Sequence, residues 1–211
     1  MKLLLEACCT SAQEAMEARK NGAQRIELCE DIAVGGVTPA ADNIMATVLV
    51  GLPVNVLVRP REGDFVYNDD EQEQILTDIW NSRKYGASAV VIGALTKEGD
   101  VDMPLMTRLV AAARSLGLGV TFHRAFDQCR DPFAALEQII ELGCDRILTS
   151  GQADTAFEGR ELIAQLVQKA AGRIIIMPGA GITPDNLETI ANDTKAVELH
   201  GTKICSRKLL S

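Results

Sequence analysis

Short apolar runs alternate along the chain with longer stretches in which apolar residues recur at helical spacing. The runs cover residues 3–7, 25–28, 54–58, 89–92, 119–122, 146–148, 173–177 and 197–199, each of a length that suits one buried strand. Between them, residues 11–21, 39–50, 69–85, 103–115, 132–142, 156–171 and 184–192 place apolar side chains at i, i+3 and i+4, which predicts amphipathic helices. Strand and helix therefore alternate strictly, with a repeat of about 26 residues, and the fold class is α/β.

The punctuation supports these boundaries. Thr38-Pro39, Asp102-Met103-Pro104, Asp131-Pro132 and Thr183-Pro184 read as helix starts, and Ser11 with Glu14 has the spacing of a capping box. The joints Gly22-Ala23-Gln24, Gly86-Ala87-Ser88 and Gly143-Cys144-Asp145 each put glycine where a helix end wants positive φ. Two architectures use such units, the closed (β/α)8 barrel and the open doubly wound sheet. The open sheet would place a glycine-rich turn after its first strand, where this chain reads Cys8-Cys9-Thr10-Ser11. It would also gather its polar groups at one switch point, whereas Glu6, Glu27, Arg59, His123, Thr149 and His200 end six different strands. A lean (β/α)8 TIM barrel in one domain, residues 1–211, is the expected fold. The residues after strand eight are too few for a full outer helix, so the final helix is truncated or missing and that side is bare for another subunit.

Composition narrows the function. Asp and Glu number 29 against 21 Lys and Arg, a net charge of −8 without a basic block, which disfavours nucleic acid and anionic membrane surfaces. No run approaches a membrane span, and Glu6 interrupts the leucines near the start, so a cytoplasmic protein is expected. The six cysteines include no Cys-x-x-Cys pair. Packed thiols are their ordinary role in such a chain.

Three strand ends share one pattern, Glu6-x-Cys8, Glu27-x-Cys29 and Glu198-x-His200. Side chains two apart on a strand face the same way, so each tip offers a carboxylate and a soft metal-ligand type together. Strand five ends with His123, Arg124 and Asp127, which reads either as a proton-transfer and anion-binding set or as a buried histidine beside an ion pair. Arg59 and Arg61 follow strand three in a loop stiffened by Pro60 and Gly63. Their guanidiniums suit carboxylate or phosphate, or a salt bridge from Arg59 to Glu6 or Glu27. Gly179 and Gly181, with Ser150 at the neighbouring strand end, form a second candidate anion site of converging backbone N–H groups.

Taken together, RIELCEDIAVGGVTP, VRPREGDFVY, VTFHRAFD, RILTSGQ and IMPGAGIT closely resemble the copper homeostasis protein CutC family, in order and over nearly the whole chain. The resemblance implies a TIM barrel in a cytoplasmic protein that associates as a homodimer or higher homo-oligomer. It also implies a Cu(I) site on Cys8 and Cys29, and it implies no reaction. Where many relatives continue with His-Cys-Ser or His-Ser-Ser and a longer tail, this chain reads His200-Gly201-Thr202 and ends at Ser211.

Two readings follow. In the first the protein binds Cu(I) through Cys8 and Cys29, with His200 as a third ligand. Neighbouring strands ~4.8 Å apart would then set two thiolates nearly at the separation of a two-coordinate ion. In the second the barrel is an enzyme on a small phosphorylated or carboxylated metabolite, with His123 and one of Glu6, Glu27 or Glu198 exchanging protons, and with Arg59, Arg61, Arg124, Ser150, Gly179 and Gly181 holding the anion.

Overall fold

A computed structural model describes residues 3–205. Eight parallel strands, β1 (Leu4–Cys9), β2 (Arg25–Leu28), β3 (Val54–Leu57), β4 (Ala89–Ile92), β5 (Gly119–Phe122), β6 (Arg146–Thr149), β7 (Ile175–Pro178) and β8 (Glu198–Gly201), pair in the order β7-β6-β5-β4-β3-β2-β1-β8. β7 and β8 lie against each other at the remaining seam, so the sheet curls into a (β/α)8 TIM barrel. Among the described residues seven α-helices cover it: α1 (Ala12–Lys20), α2 (Ala41–Val48), α3 (Asp69–Lys84), α4 (Met103–Ser115), α5 (Pro132–Glu141), α6 (Arg160–Ala170) and α7 (Leu187–Thr194). The expected stub of a final helix falls largely on residues 206–211, outside the described residues.

The helix ends show which sequence signals carried weight. Asp102 and Asp131 cap α4 and α5 by accepting backbone N–H groups of their first turns, with Pro104 and Pro132 inside those turns. Gly22, Gly86 and Gly143 take φ of 101°, 96° and 78°, as the helix-to-strand joints required. Ser11 caps α1 by accepting from Glu14 N, but the Glu14 carboxylate reaches Thr10 instead of the Ser11 N–H. Three expected starts are displaced. Thr38-Pro39 does not open α2, because the Thr38 hydroxyl accepts the Arg59 N–H at 2.9 Å and donates to the Arg59 carbonyl at 3.1 Å, tying this segment to the end of β3. Likewise residues 183–186 form a turn before α7, with Asn186 Oδ1 accepting the Thr183 N–H, and α6 begins at Arg160 after a turn over residues expected to be helical.

The principal apolar core lies between strands and helices, with Ile26, Val56, Val90, Val120 and Ile147 facing outward from their strands onto α-helical side chains. Inside the barrel the usual apolar filling is reduced to a small cluster of Cys29, Leu57 and Val91, with Cys8 against it. Much of the remaining interior is charged. Arg25 bridges Glu6 and Glu198, Arg146 also reaches Glu198 at 2.7 Å, and Asn55 donates to Glu6 at 2.9 Å.

Candidate functional site

The barrel's stagger decides which strand ends meet. Equal tips do not stand opposite each other: Glu6 is registered with His200 on one side and Arg25 on the other, while Cys8 is registered with Glu27. The tips are thus offset by two residues per strand, which interleaves them. Cys8, Glu27 and His200 offer ligand atoms that all lie within 4.8 Å of one another. The Cys8 and Cys29 sulfurs are 3.6 Å apart. All four residues line one cavity of about 210 Å³, which Leu57, Arg59, Phe65, His123, Arg124 and Leu148 also line.

Glycines make this packing possible at two places. A Cβ on Gly36 would stand 2.7 Å from Leu57 Cδ2 and 3.3 Å from Cys29 Cβ, so the loop after β2 can close over the thiol only with glycine there. A Cβ on Gly179 would meet Leu148 Cδ1 at 2.5 Å and the His200 ring at 3.3 Å.

Electrostatics separates the acids that sequence parity treated alike. Burial would raise the Glu6 carboxyl, but the His200 hydrogen bond and Arg25 bring it down to about 2. Glu198 is also held low, Arg146 and Arg25 outweighing its burial. These two are permanent carboxylates that compensate arginines. Glu27 differs. Burial, assisted by the charge of Glu6, pushes it up to about 7 against the pull of His200 and Arg25, and its Oε2 has no hydrogen-bond partner. His200 is raised, because Glu27 and Glu6 outweigh the burial of its ring. The Cys8 thiol is raised well above its ordinary value by its hydrogen bond with Cys29, then by burial and Glu27.

The other candidate residues have local partners of their own. His123 is 5% exposed, and burial with the nearby Arg59 charge brings it down to about 3, which favours the neutral ring at pH 7. Its Nδ1 accepts the Ala125 N–H. Arg124 forms the ion pair with Asp127 at 2.8 Å and donates to Ser150 Oγ at 3.0 Å, and Asp127 also accepts from the Ser150 N–H and hydroxyl. Ser150 is therefore tied to this loop. Arg61 is turned away from the cavity and consumed by Glu71, Asp64 and the Val66 carbonyl. Arg59 makes no salt bridge to Glu6 or Glu27. Its terminal nitrogens donate to the carbonyls of Val34, Gly36 and Gly63. Gly181 lines the cavity, while Gly179 packs behind His200.

The sequence reading overlooked Arg25, Arg146 and Asn55, which set the state of Glu6 and Glu198. A usable signal was present for Arg25, since residues 25, 27 and 29 share one face of β2 and the first had to be buried with the others.

A family model, the CutC family, matches residues 3–205. A CutC family protein of Parabacteroides distasonis is 52% identical over 202 residues, covering 95% of this chain and 82% of that protein. The crystal structure of CutC from Streptococcus agalactiae superposes with a TM-score of 0.90 at 34% identity, covering 96% of this chain and 99% of that one. A 2,3-dimethylmalate lyase superposes at a TM-score of 0.69 with 15% identity over 95% of this chain and 76% of its own, a likeness of fold alone.

Proposed function

The chain belongs to the CutC family, and from that premise we propose that it binds one Cu(I) ion through Cys8 and Cys29, with the His200 imidazole as third ligand and Glu27 beside them. The Streptococcus agalactiae relative carries the name of a copper homeostasis protein, which supports copper as the metal. The observation that carries the reading is the 3.6 Å separation of the Cys8 and Cys29 sulfurs in a cavity shared with His200. Two thiols and an imidazole are soft donors that select Cu(I) over calcium or magnesium. Because Glu6 is ionised, the His200 Nδ1–H donates to it at 2.9 Å, leaving Nε2 as the nitrogen with a free lone pair once the ring is neutral.

Anaerobic titration with Cu(I) against a competing chelator tests this. One equivalent should bind tightly, Cys8→Ser and Cys29→Ser should each weaken binding strongly, and Cys144→Ser should bind as the natural protein does, since Cys144 precedes β6 at the opposite end of the barrel. Equal binding by all four proteins would end the copper reading.

One observation supports a second reading, acid–base catalysis on a small metabolite. Glu27, near 7 and with its Oε2 unpartnered, lies 3.9 Å from the Nδ1 of a raised His200, which puts a titrating carboxyl beside an imidazole in the cavity. The same proposal places the protein in the cytoplasm, as a single domain in a homodimer or larger homo-oligomer. Met16 on α1, Met45 and Leu49 around α2, and Trp80 on α3 are exposed apolar side chains on consecutive helices, which supports self-association. Among the described residues no helix is long and apolar enough to cross a membrane.

A further inference from the structure

The cavity wall around Leu57 and Phe65 holds a buried cation with no counter-ion. Arg59 is 5% exposed, and its hydrogen bonds to three backbone carbonyls neutralise none of its charge. No carboxylate pairs with it among the described residues, although a buried charge ordinarily requires one. Its Nε–H makes no well-formed hydrogen bond, and the nearby Tyr67 hydroxyl is itself unpartnered. At the end of β5, two strands along from β3, His123 is equally buried, and its Nε2 has no partner. Since Nδ1 accepts the Ala125 N–H, the proton of the neutral ring sits on Nε2, which makes it a second unused donor. Buried donors are nearly always paired in folded proteins, and here two that line one cavity are not.

We propose that this wall binds the carboxylate of a small organic acid, with the Arg59 Nε–H and the His123 Nε2–H donating to its oxygens. The charge balance selects the class. A single uncompensated cation and two N–H donors suit a monoanionic carboxylate, whereas a phosphate dianion would leave excess charge and unmet acceptors in a buried site. Arg124 adds no free charge, being paired with Asp127. The cavity of about 210 Å³ and the apolar side chains of Leu57, Phe65 and Leu148 fit a short aliphatic body. The Phe65 ring lies 4.9 Å from both the Arg59 Cζ and the His123 ring, and it is the cover that the carboxylate displaces to reach donors otherwise closed from solvent.

Arg59 and His123 share the cavity with the copper ligands but are not among them, so the test is made on the full chain with Cu(I) chelated, and its result does not depend on copper binding. The chain has two histidines, so imidazole 1H–15N spectra resolve His123 from His200. Pyruvate and acetate, at ionic strength matched with chloride, should shift the His123 Nε2–H signal saturably, and inorganic phosphate should not. His123→Phe should weaken pyruvate binding ~10-fold or more, the scale of one lost charge-assisted hydrogen bond. Gly93→Ala provides a check that leaves the imidazole in the sequence, because a Cβ there would stand 2.6 Å from His123 Nδ1 and must displace the ring. It should weaken binding similarly. An unmoved His123 signal, an equal response to phosphate, or undiminished pyruvate binding in both folded variants would overturn the proposal.

Discussion

The Glu6 carboxylate and the His200 imidazole, 194 positions apart in the chain, share a hydrogen bond of 2.9 Å inside the barrel. It forms because β8 closes on β1 in a register that sets the two residues opposite each other. Arg25 holds Glu6 ionised, Glu6 holds His200 Nδ1 as the donor, and the other ring nitrogen is left for chemistry. A charged barrel interior thus orients a side chain at the barrel mouth.

That dependence makes Arg25 the most sensitive charged residue of the interior. Arg25→Ala leaves Glu6 and part of the Glu198 charge buried without compensation. Removing one partner of a buried ion pair costs about 3–5 kcal/mol, a large share of the stability of a domain. Urea unfolding at pH 7 should show a fall of this order. A fall below ~1 kcal/mol would mean that water or Arg146 replaces the guanidinium.

Glu27 should make the protein less stable as pH rises. Its carboxyl titrates near 7 when folded, above the 4.5 of an unperturbed group, so between these values the folded state holds a proton that the unfolded state has lost. Stability from this group therefore declines from about pH 4.5 to about pH 7, and the penalty is complete above that. The raised His200 acts in the same sense, its contribution being present below its unfolded value and lost as pH rises through the folded one. Glu27→Gln removes the buried charge, so it should stabilise the protein at pH 8 by of the order of 1–3 kcal/mol and change little at pH 5. Thermal melts across that range decide it, and destabilisation at pH 8 would show that the Glu27 carboxylate is paired.

Most of the architecture was legible because hydrophobic periodicity and glycine position are local properties. β4, β5 and α4 fall on the residues their patterns predict, and the glycine joints behave as expected. What failed was the partnership of polar side chains. Thr38 has the composition of a helix cap, yet its hydroxyl finds Arg59 across 21 positions. Arg61 has the composition of an anion ligand, yet Glu71 on the next helix captures it. Glu6, Glu27 and Glu198 occupy equivalent places in their strands, and only the three-dimensional placement of Arg25 and Arg146 separates two fixed carboxylates from one that titrates.

The sulfur separation sets the coordination number to be expected of a bound metal. A two-coordinate ion with metal–sulfur bonds of ~2.3 Å needs its sulfurs ~4.6 Å apart. Cys8 and Cys29 stand at 3.6 Å, about an ångström short of that and shorter than strand spacing alone suggested. With the same bond length, 3.6 Å corresponds to a sulfur–metal–sulfur angle of roughly 100°. That is the angle of a three- or four-coordinate site, and His200, which has a ring nitrogen within 4.8 Å of the Cys8 sulfur, is the candidate nitrogen donor. X-ray absorption of the anaerobic one-to-one Cu(I) complex should therefore show two sulfurs and at least one nitrogen. His200→Ala should reduce the complex to sulfur donors and weaken it. Uptake should also release protons, because the raised Cys8 thiol must ionise and the raised His200 must become neutral before either can bind. Affinity should accordingly climb between pH 6 and pH 8. A linear two-sulfur spectrum in the natural protein, with affinity independent of pH, would remove His200 from the ligand set.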